Sequence, residues 1–345
     1  MLIADRLRDP FAEARAFAER GRACEQSAPV AAIGWYDRAL ASLNEWSEML
    51  VDVLRWKGSA HRECGDTAEA DRLYERSAEI AKEIGYIAGE GHAANCRAAI
   101  AQRRGDLIAA EQLYHEANAL ARRAGDLRLR SMVQRNLGVV AATRGVPEQA
   151  LGHYEESLKA AQTLGDDDGV SRALNNIGRL YADHGRNKDA EELFERVVVM
   201  SRSRGDSALE CTALLNLGEV RLHTGRFELA ESIVAQAMKM ADERGDRLRR
   251  AEALGILAEI WSERGESGRC AAALEEALIL TNGGEDALLE AELWRLQARL
   301  GQFSATPAAA RIALSKAREL LADAGAWQQV ANVDSALADL LEERG

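Results

Sequence analysis

Glycine stands at positions 65, 85, 105, 125, 145, 165, 185, 205, 225, 245 and 265, eleven consecutive points on a grid of 20 residues. A turn residue at so constant an interval divides the chain into equal segments, which is the signature of a repeat array. Six of these glycines are followed by aspartate: Asp66, Asp106, Asp126, Asp166, Asp206 and Asp246. Glycine suits the left-handed position that ends one helix, and aspartate suits the cap of the next. The segments between turns carry apolar residues at helical spacing and are long enough for about 25 Å of helix each. Two such helices make one unit of 40 residues.

With units counted from residue 51, the eighth position reads Gly58, Ala98, Gly138, Gly178, Gly218, Ala258 and Ala298. The twentieth reads Ala70, Ala110, Ala150, Ala190, Ala230, Cys270 and Ala310, and the twenty-fourth reads Tyr74, Tyr114, Tyr154, Phe194, Val234, Leu274 and Leu314. Small residues facing a large one let two helices approach and interlock. This pattern, seen in "LNNIGRLYADHGRNKDAEELFERVV" with Gly178, Tyr181, Ala190 and Phe194, resembles the tetratricopeptide repeat. The 40-residue period is longer than the common 34 and is similar to that of kinesin light chains, Pins-type adaptors and bacterial peptide-pheromone receptors. The resemblance implies an all-α fold, a right-handed superhelical solenoid whose first helices line a concave groove.

The expected organisation is an irregular N-terminal capping repeat over 1–50, six regular repeats over 51–290, a degenerate repeat over 291–330 and a capping helix over 331–345. The first keeps Ala32, Tyr36 and Ala39 but leaves the grid around Pro29, and "TNGGED" and "GQFSATP" displace grid glycines near the end. The last helix is expected to bury Leu337, Ala338 and Leu341 against the preceding repeat, because terminal units of such arrays need a cover.

The net charge of −12 and the lack of any basic run argue against nucleic acid as a partner. No apolar run has signal-peptide or membrane-spanning length, so a cytoplasmic location without a membrane partner is expected. The five cysteines are scattered and form no CxxC pair, which indicates neither a disulfide framework nor a zinc site. His92 and Cys96 lie one turn apart without an evident third ligand, and "DDDG" at 166–169 lacks the later glutamate of a calcium loop. No nucleotide-binding or hydrolase motif occurs, so no enzyme and no cofactor is expected.

The resemblance implies that positions 2, 6, 9 and 13 of each first helix face the groove. Asn136, Asn176 and Asn216 share position 6 and are expected to form an amide ladder, with Asn175 and Arg135 at the flanking position 5. An amide offers a donor and an acceptor, which suits the backbone of an extended peptide, although it equally suits a bond to an adjacent helix. Trp56, Arg172 and Arg179 occupy further groove positions. Glu219, Glu252 and Glu259 make later columns acidic, as a ligand with a basic segment would require. The family's carboxylate-binding arrangement is incomplete, with Val139 and Thr212 where asparagine and a basic residue belong. The expected function is a non-enzymatic scaffold that binds a peptide segment of another protein. The alternatives are a peptide- or ligand-responsive regulator acting in trans and a self-assembling scaffold, a homo-oligomer.

Overall fold

The structure is a computed structural model, and it describes residues 11–25, 28–282, 286–301, 307–323 and 325–342. The first ten residues of the expected N-terminal cap, the centre of "TNGGED", most of "GQFSATP" and the last three residues lie outside that description, as does the Leu341 side chain. The described residues contain seventeen α-helices and no strand. An N-terminal pair, α1 (Ala12–Cys24) and α2 (Pro29–Ala41), precedes seven further pairs and a last single helix. First helices are α3 (Glu48–Glu63), α5 (Ile87–Arg103), α7 (Leu127–Thr143), α9 (Asp167–Asp183), α11 (Ser207–His223), α13 (Arg247–Glu263) and α15 (Ala287–Gly301). Second helices are α4 (Thr67–Ile84), α6 (Leu107–Ala124), α8 (Pro147–Leu164), α10 (Asn187–Arg204), α12 (Phe227–Arg244), α14 (Ser267–Thr281) and α16 (Pro307–Asp323), and α17 (Trp327–Glu342) ends the series. The fold is an all-α solenoid of helix-turn-helix units. It divides into two compact units, residues 1–140 and 141–345.

Every grid glycine, together with Gly325, takes a left-handed φ between 63° and 83°. An L side chain is strained there, which is why the position repeats as glycine. The aspartates that follow are caps: Asp66, Asp106, Asp126, Asp166, Asp206 and Asp246 each accept a bond from the backbone N–H three residues on, at 2.8–3.2 Å. Asp286 does the same for Leu289 at 3.0 Å. The "DDDG" stretch is thus a helix start.

Packing within each pair follows the small-to-large pattern. A Cβ added to Gly58 would lie 2.7 Å from the Tyr74 ring, and one added to Gly178 would lie 2.8 Å from Phe194. Tyr74, Tyr114, Tyr154, Phe194 and Val234 are all at least 96% buried. The N-terminal pair uses the same lock, since a Cβ on Gly21 would lie 2.5 Å from the Tyr36 ring. That lock was hidden in the sequence because its spacing is one residue shorter. In residues 141–345 the core continues through α15–α17, where Val330 and Val333 of α17 are buried and Leu337 and Leu340 pack beside them, while Ala338 is exposed.

Second helices are tied to the first helix of the next unit by carboxylates. Asp71 meets Arg97 and Arg104 in residues 1–140. In residues 141–345, Glu191 accepts from Arg221 of α11 at 3.1 Å and takes a two-pronged grip from Arg226, at the start of α12, at 2.9 and 2.7 Å, and Glu231 accepts from Trp261 at 3.0 Å and from Arg264. These bidentate contacts fix the angle between consecutive units better than single point charges would.

Candidate functional site: the open stripe of the first helices

First helices lie between neighbours on several sides, so little of their surface reaches solvent. Between Cys211 and Val220 of α11, only Thr212 and Glu219 are not buried. Between Ala251 and Ile260 of α13, only Glu252 and Glu259 are not buried. The corresponding stretch of α9 leaves Arg172, Asn176 and Arg179 open, and that of α5 leaves His92, Cys96, Arg97 and Ala99. Positions 2 and 9, with 6 where it is not buried, form a single open stripe on each first helix. Their spacings of four and three put them on one helical face.

The asparagines fall on either side of the edge of this stripe. In residues 1–140, Asn136 donates from Nδ2 to Oδ1 of the buried Asn95 at 3.1 Å. In residues 141–345, Asn216 donates in the same way to Asn175 at 3.0 Å, and both are at least 91% buried. The bond is diagonal, from position 6 of one helix to position 5 of the helix before it, 41 residues earlier. Each bond uses one donor of one amide and one acceptor of the other. The Oδ1 of Asn216 and the Nδ2 of Asn175 have no side-chain partner among the described residues. Asn176 is half-buried, and its amide makes no hydrogen bond to another side chain among the described residues. Asn95 was not singled out from the sequence, although the 41-residue offset between asparagines was available as a signal.

The charged positions carry partners. Arg172 donates to Asp168 at 2.9 Å and to Asp206 at 3.3 Å. Arg179 bridges Asp183, at 3.1 Å, and Glu219. Glu252 pairs with Arg249, and Glu259 with Arg299. The acids expected to be open to a basic ligand are therefore partly neutralised from within, by Arg249 and Arg299, which the sequence did not assign to the site. Burial still pushes the Glu252, Glu259 and Asp183 carboxyls above the usual range despite those partners. Arg179 is held more firmly protonated, because the neighbouring Glu219 and Asp183 outweigh its burial.

In residues 1–140, Trp56 packs into the core beside α1 and carries the Arg22 guanidinium 5.0 Å from its ring centroid. Arg135 is half-buried on α7. His92 Nε2 lies 3.0 Å from Asp126 Oδ2, at the cap of α7, and Cys96 packs against Ala70, Tyr74 and Ile100. Among the described residues no group of three His, Cys, Asp or Glu is placed to hold a metal ion. No described helix is long and apolar enough to cross a membrane.

Models of the tetratricopeptide repeat match residues 57–85, 90–163, 129–203 and 175–246, more than half of the chain. The chain belongs to the tetratricopeptide repeat family. This repeat array is similar in structure to a Rap protein complexed with competence and sporulation factor, at 12% identity, covering 95% of this chain and 99% of that one with a TM-score of 0.63. It is similar to the Rap conjugation gene regulator of plasmid pLS20 in complex with the Phr* peptide, at 13% identity, 97% and 90% coverage and a TM-score of 0.62. It is also similar to the apo form of the quorum sensor NprR from B. thuringiensis, at 8% identity, 95% and 98% coverage and a TM-score of 0.58. At such identities the likeness is one of fold. No curated protein matches the repeat array by sequence.

Proposed function

We propose that the chain is a non-enzymatic interaction module of the cytoplasm that holds a peptide segment of another protein along the open stripe of its first helices. The observation that carries this reading is the unmet hydrogen-bonding capacity of that stripe at Asn176, whose half-buried amide makes no bond to another side chain among the described residues. A peptide backbone alternates donors and acceptors and can meet both functions of an amide without regard to side chains. Arg172, Arg179, Glu219, Glu252 and Glu259 share the stripe with this amide and would set which side chains are accepted. Asn136, Arg135 and Trp56 are the corresponding candidates in residues 1–140.

A specific observation favours a second, narrower reading. Two structurally similar proteins are described as complexes with a factor or peptide, and a peptide-responsive regulator would use the same stripe. The first test is selection of peptides from a random library against the intact protein, followed by titration. Asn176→Ala should weaken a selected peptide about three- to tenfold, the equivalent of one backbone-paired amide. Equal affinity for wild type and Asn176→Ala, with both folded, would move the binding surface away from the stripe.

A further inference from the structure

Within residues 141–345, a cavity of 520 Å³ is lined by the last turns of α11, α13 and α15 and the start of α12. That volume is in the range of small-ligand sites, about 300–1,000 Å³. Its apolar wall is Leu222, Phe227 and Leu300, and its polar groups are His223, Glu259, Ser262, Glu263 and Arg299. Glu259 sits at position 9 of α13 and Glu263 one turn further on, so the cavity adjoins the open stripe.

We propose that this cavity receives a basic side chain of the arginine class from the peptide bound on the stripe, a proposal that rests on the peptide reading above. Charge count is the first reason. Arg299 pairs with Glu259, whereas Glu263 is exposed and has no cationic partner among the described residues. Two carboxylates face one permanent cation, Arg299, with the His223 imidazole near Glu259, so Glu263 is left to pair with one more cation, while an anion would meet Glu263 unshielded. Shape is the second reason. An arginine stem can lie along Leu222, Phe227 and Leu300 while its head reaches the carboxylates. A planar guanidinium can pair with a carboxylate through two parallel bonds and stack on the Phe227 ring, which an ammonium does less well. Burial also holds the Glu259 carboxyl above its usual range even with Arg299 opposed, so a second cation would favour its charged form.

The test uses fluorescein-labelled hexa-arginine and its neutral isostere, hexa-citrulline, titrated against the full chain by fluorescence anisotropy. Wild type should prefer hexa-arginine. Glu263→Gln should weaken it about three- to tenfold without changing hexa-citrulline, Phe227→Ala should weaken hexa-arginine more than hexa-citrulline, and Glu275→Gln, at an exposed acid of α14, should change neither. If Glu263→Gln weakens hexa-arginine no more than Glu275→Gln does, the attraction is diffuse and the cavity assignment is overturned. The same overturning follows if wild type binds both peptides equally. Asn176→Ala separates the two readings, because it should weaken both peptides alike through their backbone. An unaffected Asn176→Ala beside a weakened Glu263→Gln would remove the amide rail and leave the cavity standing.

Discussion

The two units carry the same stripe with different chemistry. In residues 1–140 positions 2, 6 and 9 read Asp52, Trp56 and Ser59, then His92, Cys96 and Ala99, then Met132, Asn136 and Val139. In residues 141–345 they read Arg172, Asn176 and Arg179, then Thr212, Asn216 and Glu219, then Glu252, Ile256 and Glu259. The first set is soft and sparsely charged. The second is charged and stitched by ion pairs. Packing dictates positions 8, 20 and 24 in both units, so those repeat. Positions 2 and 9 face away from the core and are free to diverge, which is why specificity belongs there, whereas position 6 is buried in α11 and α13 and also carries stability.

The largest expected effect breaks what the units share. Gly178→Leu would drive a side chain into Phe194, and Gly58→Leu would do the same to Tyr74. Each should cost about 3 kcal/mol in urea unfolding, the upper range for overpacking. Gly152 of α8 has open space around its Cα, so Gly152→Ala should stabilise by about 0.5–1 kcal/mol through helix propensity alone. A Gly178→Leu protein as stable as wild type would show that the small-to-large lock does not set the pair geometry.

A smaller effect tests what the units have in common on the stripe's edge. On sequence alone, replacing the three position-6 asparagines should leave stability unchanged or raise it, because alanine is the better helix former. The two observed bonds reverse that expectation for two of them. Asn216→Ala and Asn136→Ala should each cost about 1–2 kcal/mol, since each strips a buried asparagine of its partner. Asn176→Ala should cost nothing measurable. In a double-mutant cycle, Asn175→Ala with Asn216→Ala should cost about 1 kcal/mol less than the sum of the singles. Strict additivity would mean the bond does not couple the helices.

These differences mark how far the sequence could be read. Helix boundaries, turn chemistry and the position-8 lock were legible because each rests on a residue type that only one geometry tolerates: Gly205 at positive φ, Asp206 as a cap, Gly178 under Phe194. Positions 2, 6 and 9 came from the resemblance to the family, and helical periodicity puts them on one face; it does not show that position 6 is buried in α11 and α13, as Asn216 and Ile256 are. Partners across the stripe were not legible. Whether Glu259 meets solvent or Arg299 depends on the distance between helices 40 residues apart, which no local pattern encodes. The Asn216 bond to Asn175 needed the stagger between consecutive first helices as well as the column.

The smallest expected effect contrasts the titration of the two units. In residues 1–140 Asp126 accepts from His92 and from the Leu129 N–H, and these bonds hold its carboxyl below the ordinary range. A carboxyl lowered in the folded state contributes stability that is present above its unfolded pKa and is lost as pH falls through the folded value. In residues 141–345 burial raises the Glu252 carboxyl, and Arg249 only partly opposes it. The folded protein then binds that proton more tightly than the unfolded chain does. Stability from this group therefore falls as pH rises from the ordinary carboxylate range through the raised value, and acidification restores it. Asp126→Asn should be most destabilising near neutral pH and converge on wild type in acid. Glu252→Gln should compare best with wild type near neutral pH and lose that relative advantage as the pH is lowered, because wild type then becomes protonated as well. Both differences should stay within about 1 kcal/mol, since each group is partly reached by solvent. Melting temperatures measured across a pH series check the signs. If the two variants diverge from wild type in the same sense as pH rises, the opposition between a bonded carboxylate in one unit and a buried one in the other is wrong.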